Sequence, residues 1–78
     1  LIMELKEFIE NFAEQFDDTE IGDLKPDTDF KELDEWSSLL ALSIIAMVDE
    51  EYNVTLKGDD IRNSKTIADL FELVKSKS

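Results

Sequence analysis

The run Leu39-Leu40-Ala41-Leu42-Ser43-Ile44-Ile45-Ala46-Met47-Val48 has Ser43 as its only polar side chain. It is far too short to cross a bilayer, and it is apolar nearly all round rather than along one stripe. As a helix it must lie at the centre of a core, or bury one face while offering a second to something outside. Either way the rest of the chain has to pack around it. The helix is expected to run from Ser38 to about Tyr52. It closes in the solvated acids Asp49-Glu50-Glu51, and Asn53-Val54-Thr55 breaks the pattern.

Two serines open this helix. Ser37 is suited to the N-cap, where its hydroxyl accepts a bond from a free backbone N–H of the first turn. Ser38 is then the first helical residue, with its hydroxyl exposed at the positive end of the dipole. A phosphate carried on Ser38 would be stabilised there by the free N–H groups and the dipole together.

The other elements follow from apolar spacing. Leu5, Phe8, Ile9, Phe12 and Phe16 form one helical stripe, with Glu4, Glu7, Glu10 and Glu14 on the opposite face, so a first helix is expected from Met3 to Asp17. Residues 18–36 are rich in turn formers such as Gly22, Pro26 and Asp27-Thr28-Asp29. Within them Ile21, Leu24, Phe30, Leu33 and Trp36 are expected to tie the loop across the helices, with a short helical turn near Phe30–Leu33. Gly58-Asp59-Asp60 is expected to open a short element of one or two helical turns around Asp60–Arg62, with Ile61 inward. The last helix starts at Thr66, which has Asp69 at capping-box spacing. Ile67, Leu70, Phe71 and Val74 form its stripe, and Lys75 and Lys77 complement its C-terminal end. The fold class is therefore all-α: a small antiparallel bundle of three longer helices plus one short helix, with a long ordered loop between helices 1 and 2. The 78 residues are expected to make one domain, with Met3 as a natural start and Leu1 and Ile2 upstream of it.

Charge and missing residue types narrow the function. Twenty acidic against 8 basic residues give a net charge of −12, which repels nucleic acid and anionic membranes and favours partners with basic patches. The first 39 residues hold 13 of the acids and 3 of the bases. Without His or Cys the chain lacks the commonest general base, the commonest transition-metal ligand and any thiolate. Asp27-Thr28-Asp29 hints at a calcium loop. That pattern needs Gly at its sixth position and Glu at its twelfth, where Glu32 and Ser38 stand, so no metal site is expected. Trp36 and the five Phe residues are expected in the core rather than as a base-stacking platform. With no membrane-length run and no signal-peptide pattern, a cytoplasmic monomer is the expectation.

Trp36-Ser37-Ser38-Leu39, followed at helical distance by Asp49-Glu50-Glu51-Tyr52 and by a last helix opening at Thr66-Ile67, resembles the acyl carrier protein family over essentially the whole chain. That resemblance implies a non-catalytic carrier with 4′-phosphopantetheine on Ser38. The arm's thiol would hold an acyl or aminoacyl group as a thioester for partner enzymes. It makes Ser37 the helix cap and Trp36 the anchor of the presenting loop. Leu39 would lie beside the arm, and Ala41 and Ala46 would leave room for cargo. The implied partners are a phosphopantetheinyl transferase and acyl- or aminoacyl-transferring enzymes with basic or apolar docking surfaces. They would meet Trp36, Leu39, Leu40, Ser43, Asp49, Glu50 and Glu51.

Two positions depart from the family pattern. Ser37 stands where the family has Asp, a conservative exchange for a cap but not for a charge that helps organise the metal ion at the modifying enzyme. Leu40 and Ser43 stand where fatty-acid-type members usually carry docking carboxylates. The exchange at Ser37 implies a different cognate transferase, slow modification or lost modification, and the departure on helix 2 points to a specialised rather than a housekeeping member. Two alternatives share these residues: an unmodified interaction domain on the same fold, and a peptidyl or aminoacyl carrier beside an adenylating enzyme.

Overall fold

The computed structural model describes residues 4–78. Its four helices are α1 (Leu5–Ala13), α2 (Ser38–Tyr52), α3 (Gly58–Asn63) and α4 (Ile67–Lys77). Two 3₁₀ turns, Ile21–Asp23 and Phe30–Glu32, punctuate the α1–α2 loop. The second lies where a helical turn was expected. The readings placed on Leu1, Ile2 and Met3 lie outside the described residues.

α1 buries the expected face, with Phe8 and Phe12 fully enclosed and Glu4, Glu7, Glu10 and Glu14 exposed. It ends at Ala13 rather than continuing to Asp17. The Gln15 and Phe16 N–H groups turn back to carbonyls three residues earlier, Phe12 O and Ala13 O, at 3.2 and 3.0 Å. The tightened turn sends Phe16 into the core. All seven aromatic side chains join one network, in which Phe12 packs on Phe16 at 5.5 Å and on Phe30 at 5.6 Å between ring centres. Phe30 meets Trp36 edge-on at 5.0 Å, and Phe8 meets Phe71 at 5.5 Å and Tyr52 at 5.8 Å. Such offset and tilted pairs add to the free energy of burial.

α2 answers the question its composition poses. Leu40, Ile44, Met47 and Val48 enter the core, while Leu39 and Leu42 remain 73% and 63% exposed. Asn53 ends the helix in the left-handed conformation (φ 56°), which Asn tolerates better than most residues. Val54 and Leu56 then return to the core.

The long loop is held by backbone bonds as well as by apolar contacts. Ile67 N–H donates to Thr28 O at 3.2 Å, and Ala68 N–H donates to Pro26 O at 2.9 Å. Loop carbonyls thus fill two donor positions that the start of α4 would otherwise leave open. Thr66 Oγ1 takes the third, from Asp69 N–H at 3.1 Å, and Asp69 Oδ2 accepts in return from Thr66 N–H at 3.0 Å. Leu24 and Phe30 are buried, and Leu33 and Trp36 pack against the core. Ile21 is the exception at 49% exposed. The chain leaves its 3₁₀ turn extended at Leu24, which takes the inward place and leaves Ile21 outside.

α3 begins at Gly58, within the expected opening, and runs one residue past Arg62 to Asn63. Ile61 points inward as anticipated. Asp60 Oδ2 accepts the Lys57 N–H at 2.8 Å, and Ser64, a polar residue inside the core, is satisfied by donating to Asp60 O at 2.9 Å.

Candidate functional site

Ser37 adopts extended backbone (φ −156°, ψ 171°), and its Oγ accepts the Leu40 N–H at 3.2 Å. Ser38 is the first residue of α2 and is exposed. With the Leu40 donor occupied, the Ser38 and Leu39 N–H groups have no acceptor among the described residues. A hydroxyl thus stands at the positive end of a 15-residue helix beside two open donors.

The approach to this serine is rigidly built. Trp36 N–H donates to Leu33 O at 2.9 Å, and its indole packs between Phe30 and Phe16. One residue earlier, the Glu35 carboxylate gathers a cluster of donors from the segment that follows α1. These are Asp17 N–H at 2.5 Å, Asp18 N–H and Thr19 N–H at 3.0 Å, and Thr19 Oγ1 at 2.9 Å. The Asp17 bond is the largest of the influences that hold the Glu35 carboxyl below its ordinary range, against an opposing contribution from desolvation. Nothing in the local sequence singles out Glu35 among 20 acidic residues. Its role depends on where the chain returns after 16 residues of loop.

Between α2 and α3 lies an open groove of about 620 Å³. Ala41, Leu42 and Ile45 line it from α2, and Gly58, Ile61 and Arg62 line it from α3. Lys31, Trp36, Ser37 and Ser38 complete it. The expected pair of small residues separates here. Ala41 borders the groove, whereas Ala46 lies on a different cleft of about 300 Å³ with Ser43, Glu50 and Glu51.

The residues expected to face partners do not form one patch. Leu39 is largely exposed beside Ser38, but Leu40 is only 8% exposed and turns into the core. Leu40 is therefore removed from the contact surface, because the third helical position of α2 faces inward. The apolar residue displayed with Leu39 is Leu42, one turn further on, which the family pattern had not singled out. Ser43 and Trp36 are half-buried. Asp49, Glu50 and Glu51 are exposed at the far end of α2, roughly 16–20 Å from Ser38 at 1.5 Å per residue.

The family described as phosphopantetheine attachment site matches residues 6–74. Neither a curated protein nor a solved structure matches the chain. Domains of this family bear covalently attached 4′-phosphopantetheine and are generally non-catalytic. They work with enzymes that modify them and with enzymes that transfer acyl groups. Since the match covers α2, α3, the loop that leads to Ser38 and most of α1 and α4, the chain belongs to the phosphopantetheine-binding carrier proteins.

Proposed function

We propose that Ser38 is the attachment residue, and that the protein presents an acyl or aminoacyl thioester to the partner enzymes of a specialised pathway. The observation that carries this reading is the environment of the Ser38 hydroxyl. It is exposed at the first position of α2, next to two unoccupied N–H donors, and opens onto the α2–α3 groove. These residues fit a covalently held phosphodiester, since the donors and the helix dipole favour negative charge at that place. Once attached, the arm supplies the thiol on which the cargo is held.

In the attachment step Ser38 Oγ would form the P–O bond and pass its proton to a base of the modifying enzyme, while the pyrophosphate linkage of coenzyme A would break and adenosine 3′,5′-bisphosphate would leave. Ser37 keeps the first turn of α2 closed during this exchange, through its bond from Leu40. Trp36 and Glu35 hold the serine's approach by packing and by the bonds to residues 17–19. Ala41, Ile45 and Ile61 give the groove apolar walls against which methylene groups can lie.

The specialised assignment rests on the surface of α2. Leu40 is buried and Ser43 is half-buried where housekeeping fatty-acid carriers present carboxylates, and the exposed residues near Ser38 are Leu39 and Leu42. Partners would dock on an apolar patch within a strongly acidic surface, with Asp49, Glu50 and Glu51 steering from a distance.

Intact-mass measurement after incubation with coenzyme A, magnesium and a broad-specificity phosphopantetheinyl transferase tests the assignment. One phosphopantetheine adduct is expected, and none on Ser38→Ala. An adduct that survives Ser38→Ala overturns the attachment residue. Absence of any adduct, including with Ser37→Asp, favours the unmodified interaction domain, for which the exposed Leu39 and Leu42 would be the binding surface.

A further inference from the structure

Although acids outnumber bases 20 to 8 in this chain, the groove beside Ser38 is lined by two cations and by no carboxylate. Three other surface clefts reverse this pattern, each lined by two or three carboxylates and by no Lys or Arg. The cations are Lys31, from the loop, and Arg62, near the end of α3. Lys31 Nζ donates to Arg62 O at 2.7 Å, which leaves two of its three hydrogens for another acceptor. The Arg62 guanidinium pairs with Asp59, but both side chains are largely exposed. An ion pair of that kind contributes little and exchanges readily for a better acceptor. The neighbours of Ser38 add no opposing charge from the residue before it, because Ser37 is neutral. The nearby Glu35 carboxylate is already engaged by residues 17–19.

We propose that Lys31 and Arg62 form a clamp for the phosphodiester on Ser38, drawing the arm into the α2–α3 groove rather than leaving it in free solution. This inference rests on the modification of Ser38 proposed above. The phosphodiester is the one anion that attachment at Ser38 brings to this groove whatever the cargo. A guanidinium suits it through paired N–H donors, and an ammonium through its point charge. Because both cations are near the surface, the clamp is screened by salt over about 8–10 Å at ordinary ionic strength. A basic partner surface can therefore loosen it by offering the phosphate a competing site.

The test uses the full chain, modified enzymatically and verified by intact mass. Side-chain NMR signals of Lys31 and Arg62 are followed before and after modification, and the ³¹P signal of the arm is followed from low to high salt. Both side-chain signals are expected to shift on modification with a neutral or absent cargo, and the ³¹P signal to move with salt. In the K31Q/R62Q double variant, checked for retained helix content, the ³¹P salt response is expected to disappear, whereas Lys31→Arg keeps it. A mass-verified adduct with unmoved Lys31 and Arg62 signals overturns the clamp alone. Shifts seen only after loading a cargo with its own carboxylate assign the cations to the cargo and overturn it too. Absence of the adduct overturns the modification of Ser38, and the clamp with it.

Discussion

Glu35 Oε2 accepts the Asp17 N–H at 2.5 Å, so the residue just after the α1 turn is bonded to the residue two before the α2 cap. With the Asp18 and Thr19 bonds, one carboxylate gathers both ends of a long loop. Glu35→Gln removes the charge and leaves one oxygen for several donors. It is expected to lower Tm and to speed amide exchange at residues 17–19, with the exchange at α4 changed far less. Amide exchange read by NMR at neutral pH checks this.

The same carboxylate implies a pH dependence of stability. Its folded-state pKa is depressed, and Asp69 is depressed likewise, chiefly by the Thr66 backbone N–H. In the unfolded chain these groups take up protons near their ordinary values of 4.5 and 3.8, while the folded chain resists until lower pH. Their contribution is therefore present above those values and is lost as pH falls through the folded ones. Urea midpoints of the wild type against E35Q and D69N should differ most at pH 7 and converge in acid. A gap that widens on acidification would reverse the sign of this argument.

At the cap, Ser37→Ala leaves the Leu40 N–H without its acceptor. A loss of about 1 kcal/mol is expected, within the 0.5–2 kcal/mol range of such substitutions. Ser37→Asp retains a good cap and restores the carboxylate that the common transferase uses in the family. Its stability should match the wild type, while its rate of modification by that enzyme rises. Chemical denaturation and timed intact-mass measurements separate the two effects.

Phe12 and Phe30 are fully buried at the centre of the aromatic network. Phe12→Ala is expected to cost about 3–5 kcal/mol, the usual range for truncating a buried Phe. In so small a domain that is a large share of the total stability. Leu42→Ser, in contrast, alters an exposed side chain and should leave stability within about 0.5 kcal/mol. If the α2 surface docks partners, the same change should slow cargo transfer without speeding unfolding.

Much of this architecture is legible in the chain because its signals are local. Ser37 as a cap, Asn53 as a stop and Thr66 with Asp69 as a capping box each satisfy backbone groups within a few residues. The nearly all-round apolar length of α2 leaves open a fully central helix or one with a second face outside, and the exposed Leu39 and Leu42 select the latter. Glu35 and the carbonyls of Pro26 and Thr28 were not legible, since their partners lie 16 or more residues away and backbone pairing leaves no periodic trace. That same pull on residues 17–19 accompanies the early end of α1, which apolar spacing alone extends to Asp17. Leu40 was misplaced because a motif position carries no information about which way the helix is turned.

The bonds from α4 to Pro26 and Thr28, with Glu35 holding residues 17–19, bear on how the loop meets a protease. A segment this long would ordinarily be the first cut. Here the pinned stretches cannot easily straighten into a protease cleft, whereas Ile21-Gly22-Asp23 stands between the two anchor points with an exposed Ile and open space around Gly22. Limited digestion should begin there. A single nick would leave the serine still mounted on its helix, flanked by a loop half bonded to α4.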